Sequence, residues 1–254
     1  MKAIWTGAIG FGLVNIPVKL YSASQSSDLD LDMLDKKDHS HIRFHRVNET
    51  TGKEVPWGNI VKAYKLKDEY IVLDEKDFEQ ANPEKSKIIT ITDFVLEKEV
   101  DSIYFEVPYY LEPQKSGVKA YALLQEAMVK SGKAGLGSFV LRSKEHLCLL
   151  KPYQDIIVLN RIRFAEEIRD TSEISIPKSA KPKAAEMKMA MTLIDQHTHK
   201  FNIEKFKDTY SAELLKLIKA KAKGVKIKQP TLKVTHRKTD DLMSQLKASL
   251  KKAS

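Results

Sequence analysis

Cysteine is almost absent: Cys148 stands alone among 254 residues. A single thiol excludes a disulfide framework and any cysteine-based zinc site. No apolar run approaches the roughly 18 residues of a membrane-spanning helix. The first twenty residues come nearest to a leader, with Lys2 ahead of an apolar segment. Thr6, Asn15 and Pro17 interrupt that segment, and Gly7, Gly10 and Gly12 make it a poor helix. The expectation is a buried strand pair in a cytoplasmic protein that engages no membrane. What is present is enough for a core: 42% of the residues are hydrophobic and 30% charged, which excludes bulk disorder.

Acid is scarce in one part of the chain only. Residues 1–176 hold 24 Lys+Arg against 27 Asp+Glu, a net of −3, whereas residues 177–254 hold 19 against 7, a net of +12. An excess confined to the last third fits either an acidic partner such as nucleic acid or a solvated, lysine-rich helical face.

Up to about Asp170 the grammar is that of strands. Ile42-Arg43-Phe44, Tyr70-Ile71-Val72-Leu73, Lys87-Ile88-Ile89-Thr90-Ile91, Ser138-Phe139-Val140-Leu141 and Asp155-Ile156-Ile157-Val158-Leu159 are short, β-branched and separated by Gly, Pro or charge. That pattern predicts an antiparallel sheet or barrel. One helix is expected between Lys119 and Ser131, where Tyr121, Leu124, Ala127 and Met128 share a face. Trp5, Phe11 and Val14 are assigned to the core. After Pro177 the segment Lys178-Ser179-Ala180-Lys181-Pro182-Lys183 reads as a linker, and helices follow. Met187, Met191 and Ile194 mark one helix; Phe206, Tyr210, Leu214, Leu217 and Ile218 mark a second, ended by Gly224. A connector with Lys219, Lys221, Lys223, Lys226 and Lys228 leads past Pro230 to a third, starting near Thr239. Asp240 and Asp241 in its first turn and Lys247, Lys251 and Lys252 at its end suit the helix dipole, and Leu242, Leu246 and Leu250 form its apolar stripe.

No chemistry of catalysis survives inspection. Both glycine clusters, Gly7–Gly12 and Gly132–Gly137, lead into strands, whereas a phosphate cradle must open a helix, so tight turns are the expected use. Asp28, Asp30 and Asp32 imitate a calcium loop, but Met33 replaces its glycine and His39 its glutamate. A strand with an acidic outer face is expected there. His39, His41 and His45 lack the further ligands a metal site needs, and Cys148, inside Leu147-Cys148-Leu149-Leu150, reads as a small core residue. The residues point to a binding protein, with no metal, no cofactor and no catalytic residue.

The opening run from Ile4-Trp5-Thr6-Gly7-Ala8-Ile9-Gly10-Phe11-Gly12-Leu13-Val14-Asn15-Ile16-Pro17 to Tyr21 resembles the start of the bacterial Ku family. The resemblance continues in register through Thr51-Gly52-Lys53-Glu54-Val55, Ile60 to Tyr64, Tyr109 to Pro113, Lys119 to Leu124 and Val140 to Glu145. It extends to Lys207-Asp208-Thr209-Tyr210, Leu217 to Lys221 and the final Asp241 to Leu250 motif. It implies an α+β fold, a β-barrel core with a bridging arm followed by C-terminal helices, in a ring-forming homodimer. The implied division is residues 1–176 for barrel and DNA-encircling arm, 177–228 for helices that embrace the partner subunit, and 229–254 for a short tail with a terminal helix. The implied function is to bind ends of double-stranded DNA without sequence specificity and to recruit an ATP-dependent DNA ligase in non-homologous end joining, at the nucleoid. Where some members carry paired cysteines after the position of Val47, this chain has Asn48-Glu49-Thr50-Thr51, so no zinc is implied.

A ring that accepts any end must hold phosphate and sugar through Lys and Arg. The expected lining is Lys36, Lys37, Arg43, Arg46, Lys53 and Lys62 in the arm stretch, with Lys115, Lys119, Arg142 and Lys144 as a second group. Leu242, Leu246 and Leu250 are expected to meet the ligase, with packing on the chain's own core as the alternative. Two rival readings remain from the residues alone. A general DNA-coating protein would bind closed circles as well as linear DNA, and a helical-tail scaffold would show no salt-sensitive DNA affinity.

Overall fold

A computed structural model describes residues 1–81, 87–142, 144–177, 181–225 and 242–253, without the side chains of residues 79, 81, 242, 248 and 251–253. The chain forms two compact units, one of residues 1–26 and 32–171, the other of residues 27–31 and 172–254.

In the first unit, β1 (Trp5–Phe11) turns through Gly12, at φ +56°, into β2 (Val14–Ser22). Among its described residues a long excursion then carries a 3-10 turn at Trp57–Asn59, β3 (Lys62–Leu66), β4 (Glu69–Leu73) and α1 (Glu75–Ala81). The chain returns as β5 (Ile88–Leu96), β6 (Phe105–Pro113), α2 (Val118–Ser131), β7 (Lys133–Leu141), β8 (Lys144–Tyr153) and β9 (Ile156–Ile162). Seven strands close a barrel in the order β1-β2-β6-β9-β8-β7-β5, with every neighbour antiparallel except β5 beside β1. The barrel followed by helices is the α+β architecture that the resemblance implies.

Alternation explains the closure. Ile16, Val18 and Leu20 of β2 are buried at every second position, and Ile9, Ile89, Leu111, Phe139, Leu150, Ile157 and Leu159 join them from the other strands. Each such side chain contributes roughly 1.5–3 kcal/mol by leaving water. The barrel end beside α2 is covered by Tyr121, Leu124 and Met128, spaced along one helical face. Tyr121 fastens that cover: its hydroxyl donates to the Leu111 carbonyl at 2.6 Å and accepts from the Ile157 N–H at 2.6 Å. Burial pushes its pKa up.

Several expectations need correction. Phe11 and Val14 flank the β1–β2 turn and stand about two-fifths exposed, so the hairpin tip is not core; Trp5 is half-buried, edge-on to Phe139 at 6.3 Å. Gly7 and Gly137 lie within strands, where a β-carbon would overlap the carbonyl oxygens of Lys87 and Thr90 respectively. Their role is close backbone approach, not turning. Asp28 to Asp32 and Ile42 to Phe44 form no strand. Their neighbourhood makes one isolated bridge, Leu34 to His41.

The second unit holds α3 (Ala184–His197), α4 (Thr209–Ala222) and α5 (Leu242–Ala253). Asp208 caps α4 by accepting the Ser211 N–H at 3.0 Å; the Ser211 hydroxyl first, and that N–H second, lower its carboxyl pKa, and Gly224 at φ +70° follows the helix end. α5 runs beside α3. The half-buried side of α3 is Met189, Ala190 and Leu193, while Met187, Met191 and Ile194 are exposed, so α3 is apolar on two sides. Expectations for Lys178 to Ala180, Lys226, Lys228, Pro230, Thr239, Asp240 and Asp241 lie outside the described residues.

Candidate nucleic-acid interface

Between Ala23 and Lys87 no described residue is buried, and this excursion is the arm. Its local order comes from short polar turns. Asp35 accepts the Lys37 N–H at 2.7 Å and Asp38 accepts the Ser40 N–H at 2.9 Å, so Lys36 and Lys37 stand on a tight turn completed by His39 at φ +59°. Asp38 is held below the usual carboxylate range by those Ser40 bonds. A second turn is built on Asn48, whose side-chain oxygen accepts from Thr50 at 3.0 Å and Thr51 at 2.9 Å. That turn brings Arg46 and Lys53 onto a narrow loop, closed by the Val55 N–H to Arg46 carbonyl bond at 2.7 Å. His45 pairs with Glu54 at 2.9 Å instead of joining a metal site, and no metal-binding cluster occurs among the described residues.

Aromatic rings accompany the arm's cations. The Arg46 guanidinium lies 4.4 Å over Trp57, Lys62 Nζ lies 5.0 Å over Phe78, and Lys65 Nζ lies 5.9 Å over Tyr70. β3 and β4 form a two-stranded sheet with both faces exposed, in which Tyr64 stands opposite Ile71 and Lys65 opposite Tyr70. Phe78 is carried by α1, whose start is fixed by reciprocal bonds between Asp74 and Asp77 at 2.8 and 3.0 Å.

All ten cations expected at the interface are exposed, but the fold divides them. The arm leaves the barrel after Ser22 and returns at Ile88. Strand directions put those two roots at the same barrel end as the β7–β8 turn, with Arg142 and Lys144. Arg142 is held at φ +54° by that turn. Lys115 and Lys119 precede and open α2, at the opposite end. The structure therefore brings Arg142 and Lys144 toward the arm's roots and separates Lys115 and Lys119 from them. Lys144 lies 3.6 Å from Glu167, whose carboxyl is held low first by the Phe164 N–H at 2.9 Å and further by Lys144. Arg161 and Arg163 are engaged by Glu106 at 2.6 and 3.4 Å.

Sequence reasoning gave no interface role to Trp57, Tyr64, Lys65, Tyr70 and Phe78. The alternation in Lys62-Ala63-Tyr64-Lys65 was the available signal. Nothing among the unit's described residues resembles a reaction centre. The Cys148 thiol is buried and pushed far above its usual range by burial. A groove of about 350 Å³ between α2 and the first hairpin is lined by Phe11, Val14, Phe94, Leu123 and other apolar groups, with Ser131 and Lys133 at its margin. On the tail helix, Met243, Leu246 and Leu250 are half-buried and Ser244, Gln245, Lys247 and Ser249 are exposed. Among the described residues no helix is long and apolar enough to cross a membrane.

Residues 10–189 match the family model described as the Ku70/Ku80 beta-barrel domain. The chain is 42% identical, over 91% of its length and 70% of the relative, to the non-homologous end joining protein Ku of Cupriavidus necator. It is 37% identical to the protein of the same name from Coxiella burnetii, covering 98% of this chain and 94% of the relative. The Bacillus subtilis protein of that name is also 37% identical, over 98% of this chain and 82% of the relative. With its closed barrel, its arm and a match running nearly end to end, the chain belongs to the Ku family.

Proposed function

We propose that this chain binds ends of double-stranded DNA without reading their sequence, as a homodimeric ring threaded onto the duplex, in non-homologous end joining. It acts as a DNA-binding factor, not as an enzyme. The observation that carries this reading is the arm: a long insertion between β2 and β5 that buries none of its described residues and carries Arg43, Arg46, Lys53 and Lys62. A two-stranded hairpin alone is marginal in water. An arm built on one is therefore suited to take its final form against something else, and exposed cations suit phosphate. The name that the relatives share agrees with this role.

Homodimer formation is supported by the second unit, where Met187, Met191 and Ile194 of α3 and Phe206, Tyr210 and Leu217 in and before α4 are exposed. That much apolar surface calls for a partner. Arg142 and Lys144 join the arm cations in the ring lining, with Lys144 the weaker because Glu167 competes for it. Lys36 and Lys37 reach the duplex from their turn. Lys115 and Lys119 contribute from the far barrel end only where the duplex passes it. An ATP-dependent DNA ligase is the tail's partner, and we assign the docking stripe to Leu242, Leu246 and Leu250. Because α5 runs beside α3, with Leu246 and Leu250 half-buried, docking requires α5 to leave α3.

The test is a gel shift with one duplex of a few tens of base pairs, with open ends or with both ends closed by hairpins, at two salt concentrations. Binding to the open form alone, weaker at high salt, is expected. Equal binding to both forms would leave a general DNA-coating protein and remove threading. Deleting residues 239–254 should spare end binding and abolish stimulation of the ligase.

A further inference from the structure

We propose that the cation-capped aromatic rings of the arm, centred on Trp57, form a stacking platform for the unpaired nucleotides of an overhang at a broken DNA end. The proposal rests on the end-binding reading and adds a substrate feature to it. Phe44, Trp57, Tyr64 and Tyr70 are 79%, 72%, 65% and 68% exposed, and they lie in one stretch of arm with no buried described residue near them in sequence. Rings of that size left in water mark a binding surface.

Three features select the occupant. The first is charge. Residues 41–67 hold six Lys+Arg against Glu49 and Glu54, a net of +4, while residues 28–40 carry five Asp against two Lys and residues 68–79 carry six Asp+Glu against one Lys. Positive charge is thus gathered where the exposed rings are, between two acidic flanks. The second is pairing. Arg46 over Trp57 and Lys65 over Tyr70 place a cation and a π-face side by side, so one phosphate and one base can be met together. The third is the shape of the ligand. Inside a duplex the base faces are already stacked and only the outermost pair shows one. An unpaired strand offers a π-face at every nucleotide, and aromatic or guanidinium planes bind it without regard to sequence. A protein surface on the partner subunit could also cover the rings, and the test separates that outcome.

The chain has two tryptophans, and Trp5 belongs to the barrel, so Trp57 reports on the arm. Tryptophan emission of the full-length protein would be followed during titration with a blunt duplex and with the same duplex bearing a ten-nucleotide thymidine overhang, at low salt. Affinity would be read in parallel by gel shift. The overhang should quench emission beyond the blunt duplex, and Trp57→Phe should abolish that extra quench while keeping overhang binding. Trp57→Ala should weaken the overhang duplex about tenfold more than the blunt one, the scale of one lost stacked base. Equal quenching and equal losses with both duplexes would overturn the platform and leave end binding intact. Blue-shifted emission before any DNA is added, unchanged on titration, would place Trp57 against the partner subunit and equally overturn it. Full overhang quenching with no binding of the blunt duplex would instead sustain the platform and overturn the end-binding reading.

Discussion

β2 buries Ile16, Val18 and Leu20 at alternate positions, whereas β3 and β4, in the same compact unit, bury nothing. β2 and the Tyr70 to Leu73 part of β4 both read as strands in the sequence, and both stretches contain β-branched and aromatic residues. The difference is the number of ladders. β2 is flanked by β1 and β6 and its inner face meets a closed core, while β3 and β4 have only each other. Barrel side chains therefore answer to packing, and arm side chains answer to whatever the arm grips. Substitutions in the two regions should accordingly fail in different assays.

The sharpest break in the barrel is Gly137→Ala. The added carbon would overlap the Thr90 carbonyl in β5, a backbone atom that cannot rotate away. A loss of roughly 4 kcal/mol or more is expected, seen as a collapse of the thermal transition. Next is Tyr121→Phe, which leaves the Leu111 carbonyl and the Ile157 N–H without their partner. The expected cost is about 2–4 kcal/mol in denaturant unfolding, with DNA affinity preserved under conditions where the barrel stays folded. On the arm the order of effects reverses. Arg43→Ala combined with Lys62→Ala should change stability by less than about 0.5 kcal/mol. The same pair should weaken end binding about tenfold or more and flatten its logarithmic salt dependence by about two units. Lys115→Ala with Lys119→Ala should do markedly less, and an equal loss would erase the distinction between the two barrel ends. The smallest effect is a pH dependence. Burial, then the charges of Arg161 and Lys144, lowers the His146 pKa below its ordinary 6.5, so the folded state resists a proton that the unfolded chain accepts. Stability is thus full above about pH 6.5 and declines as pH falls through and below that value. His146→Phe should remove that decline from acid titrations of the melting temperature.

The barrel was legible because burial imposes a period. The Tyr121, Leu124, Met128 face reads correctly from helical spacing, and Ser138 to Leu141 and Ile156 to Leu159 from short apolar runs, the latter buried continuously over Ile157, Val158 and Leu159. The arm was not, because a segment without a core has no period to show: Ile42-Arg43-Phe44 looks like a strand and is none. The hairpin tip misled for the opposite reason, since Phe11 and Val14 are apolar but form the last rung of the hairpin, about two-fifths exposed. Gly7 and Gly137 could be noticed but not explained, because their reason is a neighbouring strand distant in sequence. Of the candidate site, charge identified exposed cations. It could not separate Lys115 and Lys119 from Arg142 and Lys144, a division made by strand direction alone. The cation–ring pairs needed coordinates, although Lys62-Ala63-Tyr64-Lys65 carried a hint.

One consequence of the barrel concerns mechanics. Strands whose neighbours all run oppositely can close a ring only in even number; seven leave one mismatch, and it falls at β1 and β5, paired over just Ala8 to Gly10 with Ile88 to Thr90. The arm is anchored at β2 and β5. A pull on the arm is thus shared between a root laced on both sides and a root with one ladder, on β7, and a short seam. The return root is the compliant one, so strain transmitted through the arm would open the barrel first along the seam between its first and fifth strands.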